Sequence, residues 1–161
     1  MYRRVMLAYD GSLEGRTALR EGALLARQVG ARLYLLCVIA ETPGMRIGEA
    51  AHSGAMFKTQ ESYVELFDEA MQRLKGMGFD VEGRVVSGEP AEQIAAYANE
   101  IDVDLIVVGH RRRSLLERWW SGASGAYLVD HIKCSLLIAR KTVTDEDFRT
   151  RFADADSARS N

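Results

Sequence analysis

Three short stretches carry the residue types that bind anions. Asp10-Gly11-Ser12 follows the apolar run Val5-Met6-Leu7-Ala8-Tyr9. Gly109-His110-Arg111-Arg112-Arg113 follows the apolar run Leu105-Ile106-Val107-Val108. Gly122-Ala123-Ser124 stands where a new helical pattern opens. A strand, a glycine, a polar loop and a helix start form the usual physical setting for a phosphate. Glycine lets the backbone approach the ligand closely, and helix N-terminal N–H groups point at it. Arg111, Arg112 and Arg113 offer forked donors to phosphate oxygens; the competing reading is a solvated loop face. His110 is in reach of the same phosphate or is an exposed loop histidine.

Other chemistry is poorly represented. No Gly-x-Ser-x-Gly nucleophile elbow occurs, since Ser121-Gly122-Ala123-Ser124-Gly125 has the wrong spacing, and no phosphate-binding loop ends in Lys-Ser/Thr. There is no matched acid–base pair, so an efficient enzyme is not expected. Cys37 and Cys134 are the only cysteines, both in apolar contexts, and no metal-ligand spacing of Cys or His is present. They read as buried structural thiols of a reducing cytoplasm.

The elements that position these stretches follow from periodicity. Val5–Tyr9 is a first strand, buried on both faces. Ser12 can cap a helix that runs to about Val29, with Gly30 as its C-cap and Ala18, Leu19, Ala23, Leu25, Ala26 and Val29 as its apolar stripe. Arg32–Ile39 is a second strand, and the irregular stretch 40–55 a long loop. A helix spans about 58–75, with Val64, Phe67, Met71 and Leu74 inward. Val81–Ser87 is a third strand. Gly88-Glu89-Pro90 starts a helix with the stripe Ala91, Ile94, Ala95 and Ala98. Val103–Gly109 is the fourth strand. Gly125–Lys133 is a helix with Leu128, Val129 and Ile132 inward, and Ser135–Ala139 is the last strand. The segment from Lys141 reads as a frayed polar tail with one short helix near 146–152. Strands alternating with amphipathic helices predict an α/β fold: an open five-stranded parallel sheet covered by helices on both faces. Ligands in such sheets bind beyond the C-terminal strand ends, where the winding reverses.

Composition sets the limits. A chain of 161 residues with 47% hydrophobic content predicts one globular domain. A net charge of −2 gives no global reason to expect nucleic acid or a membrane surface. No apolar run approaches the roughly 20 residues of a membrane span, and the start of the chain has no signal-peptide pattern.

Several landmarks together resemble one family. Ala8-Tyr9-Asp10-Gly11-Ser12, Gly88-Glu89-Pro90-Ala91-Glu92-Gln93-Ile94, Asp104-Leu105-Ile106-Val107-Val108-Gly109 and the closing run Gly122-Ala123-Ser124 through Cys134-Ser135-Leu136-Leu137-Ile138 are similar to the universal stress proteins. The similarity covers about residues 2–140, a domain of 1–141 followed by the tail 142–161. The resemblance implies an adenine-nucleotide-binding-like fold with strand order 3-2-1-4-5, a role in stress response, and a homodimer paired through the last strand. It implies ATP or AMP, with Mg if a metal is used, as the ligand. Asp10 would then meet a ribose hydroxyl or a metal near phosphate. Val38 would offer backbone polar groups to adenine, and Gly109, His110, Arg111, Arg112, Gly122, Ala123 and Ser124 would surround the phosphates. The alternative for Asp10 is a helix-start carboxylate, and for Val38 plain core.

ATP-binding members carry Gly, two residues, Gly, nine residues, then Gly and Ser or Thr. Gly109 and Gly122 match that pattern. Arg112 stands where the second Gly belongs, and Ala123 where the hydroxyl belongs, with Ser124 one position late. Three readings follow: a nucleotide-binding regulatory or protective module, a dimeric interaction protein of the same fold without nucleotide, or a slow ATPase or phosphotransferase.

Overall fold

The computed structural model describes residues 1–9, 13–40, 60–109, 123–140 and 143–159. Its elements, in chain order, are β1 (Arg4–Tyr9), α1 (Leu13–Val29), β2 (Arg32–Ala40), α2 (Gln60–Gly76), β3 (Val81–Gly88), α3 (Pro90–Glu100), β4 (Leu105–Gly109), α4 (Ala123–His131), β5 (Ser135–Ala139) and α5 (Asp145–Arg159). The five strands form one parallel sheet in the order β3-β2-β1-β4-β5. That is the order the family resemblance implies.

The period-2 alternation of the strands divides the core in two. Val5, Leu7 and Tyr9 of β1 join Leu33, Leu35, Leu105 and Val107 against α1, α2 and α5. Met6 and Ala8 join Leu36, Val38, Ile106 and Val108 against α3 and α4. Both faces of β1 and β4 are thus covered, which is why these strands read as unbroken apolar runs. The stripe Ala91, Ile94, Ala95 and Ala98 is buried as expected, and Pro90 opens α3.

Turn chemistry fixes the crossovers. Gly30 has a φ of 68°, and the N–H groups of Gly30 and Ala31 donate to the carbonyls of Arg27 and Ala26. This closes α1 by the left-handed cap that its glycine predicts. Asp102 does the same work after α3 with a φ of 52°, Val103 N–H reaching the Ala98 carbonyl at 3.1 Å. Asp104 then accepts from the N–H groups of Arg3 and Arg4 at 2.7 and 2.8 Å, tying the start of β1 to the start of β4. These two bonds hold its carboxyl below the usual carboxylate range.

Three expectations need correction. Val64 and Val129 are 41% and 58% exposed, not inward; each lies at the edge of its helical stripe, and Leu66, partly buried, and Leu128, buried, face the core instead. Val29 is also 40% exposed, at the last residue of α1. The tail is not frayed: α5 runs over 15 residues and packs on α1. Thr144 caps it, its hydroxyl accepting from Asp147 N–H at 3.1 Å. Val143 is buried, and Phe148 and Phe152 pack on the α1–α2 side of the core. The Arg27 guanidinium lies over the rings of Phe79 and Phe152.

The two cysteines are free thiols. Cys37 lies in β2 and Cys134 just before β5, and β1 and β4 stand between those strands. Burial, with the Asp104 carboxylate, pushes the Cys134 thiol up, so it is a poor nucleophile.

Candidate functional site

The site is defined by how the chain winds. From β1 it proceeds to β2 on one side; later it returns to place β4 on the other side of β1. The winding therefore reverses between β1 and β4, and in sheets of this kind the ligand crevice lies beyond the C-terminal ends of those strands.

The registers locate that crevice. Ala8 is level with Leu36 on β2 and Val108 on β4, so Tyr9 and Gly109 end neighbouring strands at one height. β2 is longer. Its last pair with β1 is Cys37↔Tyr9, whereas its pairing with β3 continues to Ala40↔Gly88. Among the described residues, β2 therefore has no strand on its β1 side from Val38 onward. A row of backbone donors and acceptors faces the crevice there. The Val38 side chain is 7% exposed and packs with α3 and α4. The core reading of the side chain holds, and the backbone has no described strand on its β1 side.

Gly88, with a φ of 142°, turns the chain out of β3 beside the Gln93 side chain. Only glycine adopts that backbone readily.

The second half of the site is the start of α4. Ala123 and Ser124 are its first two residues, where helix N–H groups have no intrahelical acceptor. α4 is anchored from behind. Leu128 is buried, and Asn99 of α3 donates to the His131 carbonyl at 2.9 Å. Asp10, His110, Arg111, Arg112 and Gly122 lie outside the described residues.

Of the named residues, the structure brings Val38 and Gly109 to the same end of the sheet, on either side of the end of β1. Tyr9 ends that strand with its side chain on the α1–α2 face, and spacing alone did not mark it. Among the described residues no group of three His, Cys, Asp or Glu side chains is placed to hold a metal ion. No described helix is long and apolar enough to cross a membrane.

Known proteins share this fold. A universal stress protein of Methanocaldococcus jannaschii is 26% identical over 145 residues, covering 88% of this chain and 84% of that one. A universal stress protein crystallised in complex with cAMP matches with a TM-score of 0.61 at 24% identity, over 86% of this chain and 97% of that chain. A family member from Arabidopsis thaliana with AMP bound matches with a TM-score of 0.59 at 18% identity, over 90% of this chain and 97% of that chain. At such identities the solved structures speak for the fold. The model of the universal stress protein family matches residues 1–140. The chain belongs to the universal stress protein family.

Proposed function

We propose that this chain is an adenine-nucleotide-binding module that pairs with a second copy of itself through β5. The observation that carries the nucleotide reading is the open backbone edge of β2 from Val38, set across the end of β1 from Gly109. An adenine ring needs such a planar row of donors and acceptors. The phosphates would lie at the first turn of α4, on the N–H groups of Gly122, Ala123 and Ser124, where the helix dipole favours negative charge. Asp10 would take a ribose hydroxyl or a Mg ion. His110, Arg111 and Arg112 would flank the phosphates. The relatives bound to cAMP and AMP support this class of ligand. The reading is of a cytoplasmic regulatory or protective module, with slow ATP hydrolysis as the upper limit of any turnover.

Arg112 and Ala123 decide how well it binds. A side chain at the second motif position obstructs close approach of the loop, or supplies a forked donor to phosphate. Calorimetry with ATP, AMP and adenosine separates the two. Arg112→Gly with Ala123→Ser gains affinity if the arginine obstructs. Arg112→Gly alone loses ATP affinity, and adenosine affinity less, if the arginine binds phosphate. Absence of binding for every nucleotide, in wild type and double variant alike, refutes the nucleotide reading and leaves a dimeric interaction protein.

The pairing reading rests on a difference between the sheet edges. β3 presents Glu82 and Arg84, engaged in ion pairs with Arg32 and Glu100. β5 presents Ser135-Leu136-Leu137-Ile138-Ala139, with Ile138 39% exposed and Val129 of α4 exposed as well. An apolar unpaired edge is a liability unless covered. Sedimentation velocity should show a wild-type dimer and an Ile138→Lys monomer. A monomeric wild type at high concentration refutes the pairing.

A further inference from the structure

A cavity lies on the α1–α2 face of the sheet, lined by α1, α2, α5 and Tyr9 at the end of β1. Its volume is about 100 Å³. Leu19, Leu66, Ala70, Leu74, Met77 and Phe148 supply its apolar wall. An apolar cavity of about 150 Å³ encloses a benzene molecule; this one is smaller, so a fragment of that size enters it in part and leaves its polar end at the rim. Predominantly apolar walls with a few polar groups at fixed places are the usual make-up of small-molecule sites.

The rim carries three guanidinium groups and two carboxylates. Arg20 pairs with Asp145 and donates to the Val143 carbonyl at 2.9 Å. Arg73 pairs with Glu69 at 2.7 Å. Arg16, half-buried on the rim, has no carboxylate partner among the described residues. The rim therefore holds one uncompensated positive charge, flanked by two engaged acids. That balance suits a monoanion, and the two carboxylates repel anything of higher negative charge. A guanidinium and a carboxylate match geometrically as a two-bond pair.

One wall lies beyond the stretch that the family model matches. The family match ends at residue 140, and Asp145 and Phe148 come from α5. The universal stress protein domain alone leaves α1 and α2 uncovered here. We infer that α5 builds a second binding site, separate from the nucleotide site, for a small carboxylate with an aromatic or branched aliphatic body, its carboxylate on Arg16 and its body against Leu66, Ala70, Met77 and Phe148.

The test uses the full chain with benzoate as the probe and benzamide as its neutral counterpart. Binding is followed through the methionine methyl resonances. Benzoate should shift the Met77 methyl saturably and leave that of Met1, which is fully exposed, in place. Benzamide should bind at least roughly tenfold more weakly, since a bond to a charged partner is worth about that factor or more. Arg16→Gln should bring benzoate down to the level of benzamide. Ala70→Leu, which fills the cavity, should abolish binding of both while the protein stays folded. Neither change should alter the response to AMP, so failure here is distinct from failure of the nucleotide reading. Equal affinity for benzoate and benzamide, undiminished binding to a folded Ala70→Leu variant, or no saturable shift of Met77 at all would each overturn the inference.

Discussion

Gly22→Ala is the perturbation that tests how α1 sits on the sheet. Gly22 lies where α1 closely approaches β1 and β4. A Cβ at this position would lie 2.4 Å from Leu7 Cδ2 and 3.2 Å from Val107 Cγ1. Both side chains are only 1% exposed, so neither has free space to retreat into. Two effects compete. Alanine is favoured over glycine inside a helix by about 1 kcal/mol. Forcing an extra methyl into a closed core costs about 1–3 kcal/mol. The contact is far inside van der Waals range, so packing wins, and we expect a net loss of about 1 kcal/mol. The clash has one principal partner, which makes it separable. Leu7→Val removes the offending Cδ2 and costs about 1 kcal/mol alone, as comparable large-to-small changes do. In the double variant the new methyl occupies the space that Cδ2 left. Its stability should therefore exceed the sum of the single effects by about 1 kcal/mol or more, within the range seen for touching residues. Urea unfolding followed by circular dichroism measures all four proteins, with a common slope confirming an unchanged unfolded state. If Gly22→Ala stabilises by the full helix-propensity amount, or the two changes simply add, the close-approach argument is wrong.

Other outcomes follow from the same contacts. Asp104→Asn keeps one neutral acceptor for Arg3 or Arg4 N–H and should cost about 1–2 kcal/mol at pH 7, less than two buried charged bonds because water reaches the pair. The Asp104 pKa is lowered in the folded state, so its stabilisation is present above the ordinary value of 3.8 and is lost as pH falls through the folded pKa. The gap between wild type and Asp104→Asn should thus be constant near neutrality and close below about pH 4; a gap that persists in acid refutes the assignment. Phe152→Ala removes a half-buried ring 5.7 Å from Phe79 and 4.9 Å from the Arg27 guanidinium. About half the cost of a fully buried phenylalanine, roughly 2 kcal/mol, is expected. That is a fall of about 4–8 °C in Tm, together with faster amide exchange in α5. No change in either would mean that α5 contributes nothing to the core.

Much of the fold is legible because each element carries its own stop signal. Gly30 ends α1, Gly88 and Pro90 launch α3, and the apolar runs of β1 and β4 declare strands covered on both faces. What periodicity cannot fix is the edge of a stripe. Val64 and Val129 sit at helical spacing beside inward residues, and only the angle of the neighbouring element decides that they face outward. The extent of α5 is hidden for a different reason. Its composition is polar, yet Phe148 and Phe152 one turn apart, after Thr144 as cap, suffice to dock it. Of the candidate site, Val38 and Gly109 could be placed because they end apolar runs. The cavity under α5 has no linear signature, since Arg16, Ala70 and Phe148 come from three helices far apart in sequence.

The unlike edges of the sheet set a valence. Along β3, Glu82 and Arg84 are already committed to charged partners within the chain, so an incoming strand would have to strip them. Among the described residues, the β5 edge carries no such ion pairs. A unit with one sticky end and one sealed end cannot act as a link in a chain. Two such units joined face to face through the same strand satisfy each other, and nothing remains from which a third could grow. If two copies pair through β5 as proposed, the charges of β3 would disfavour further strand addition at the other edge and so oppose growth into a fibre.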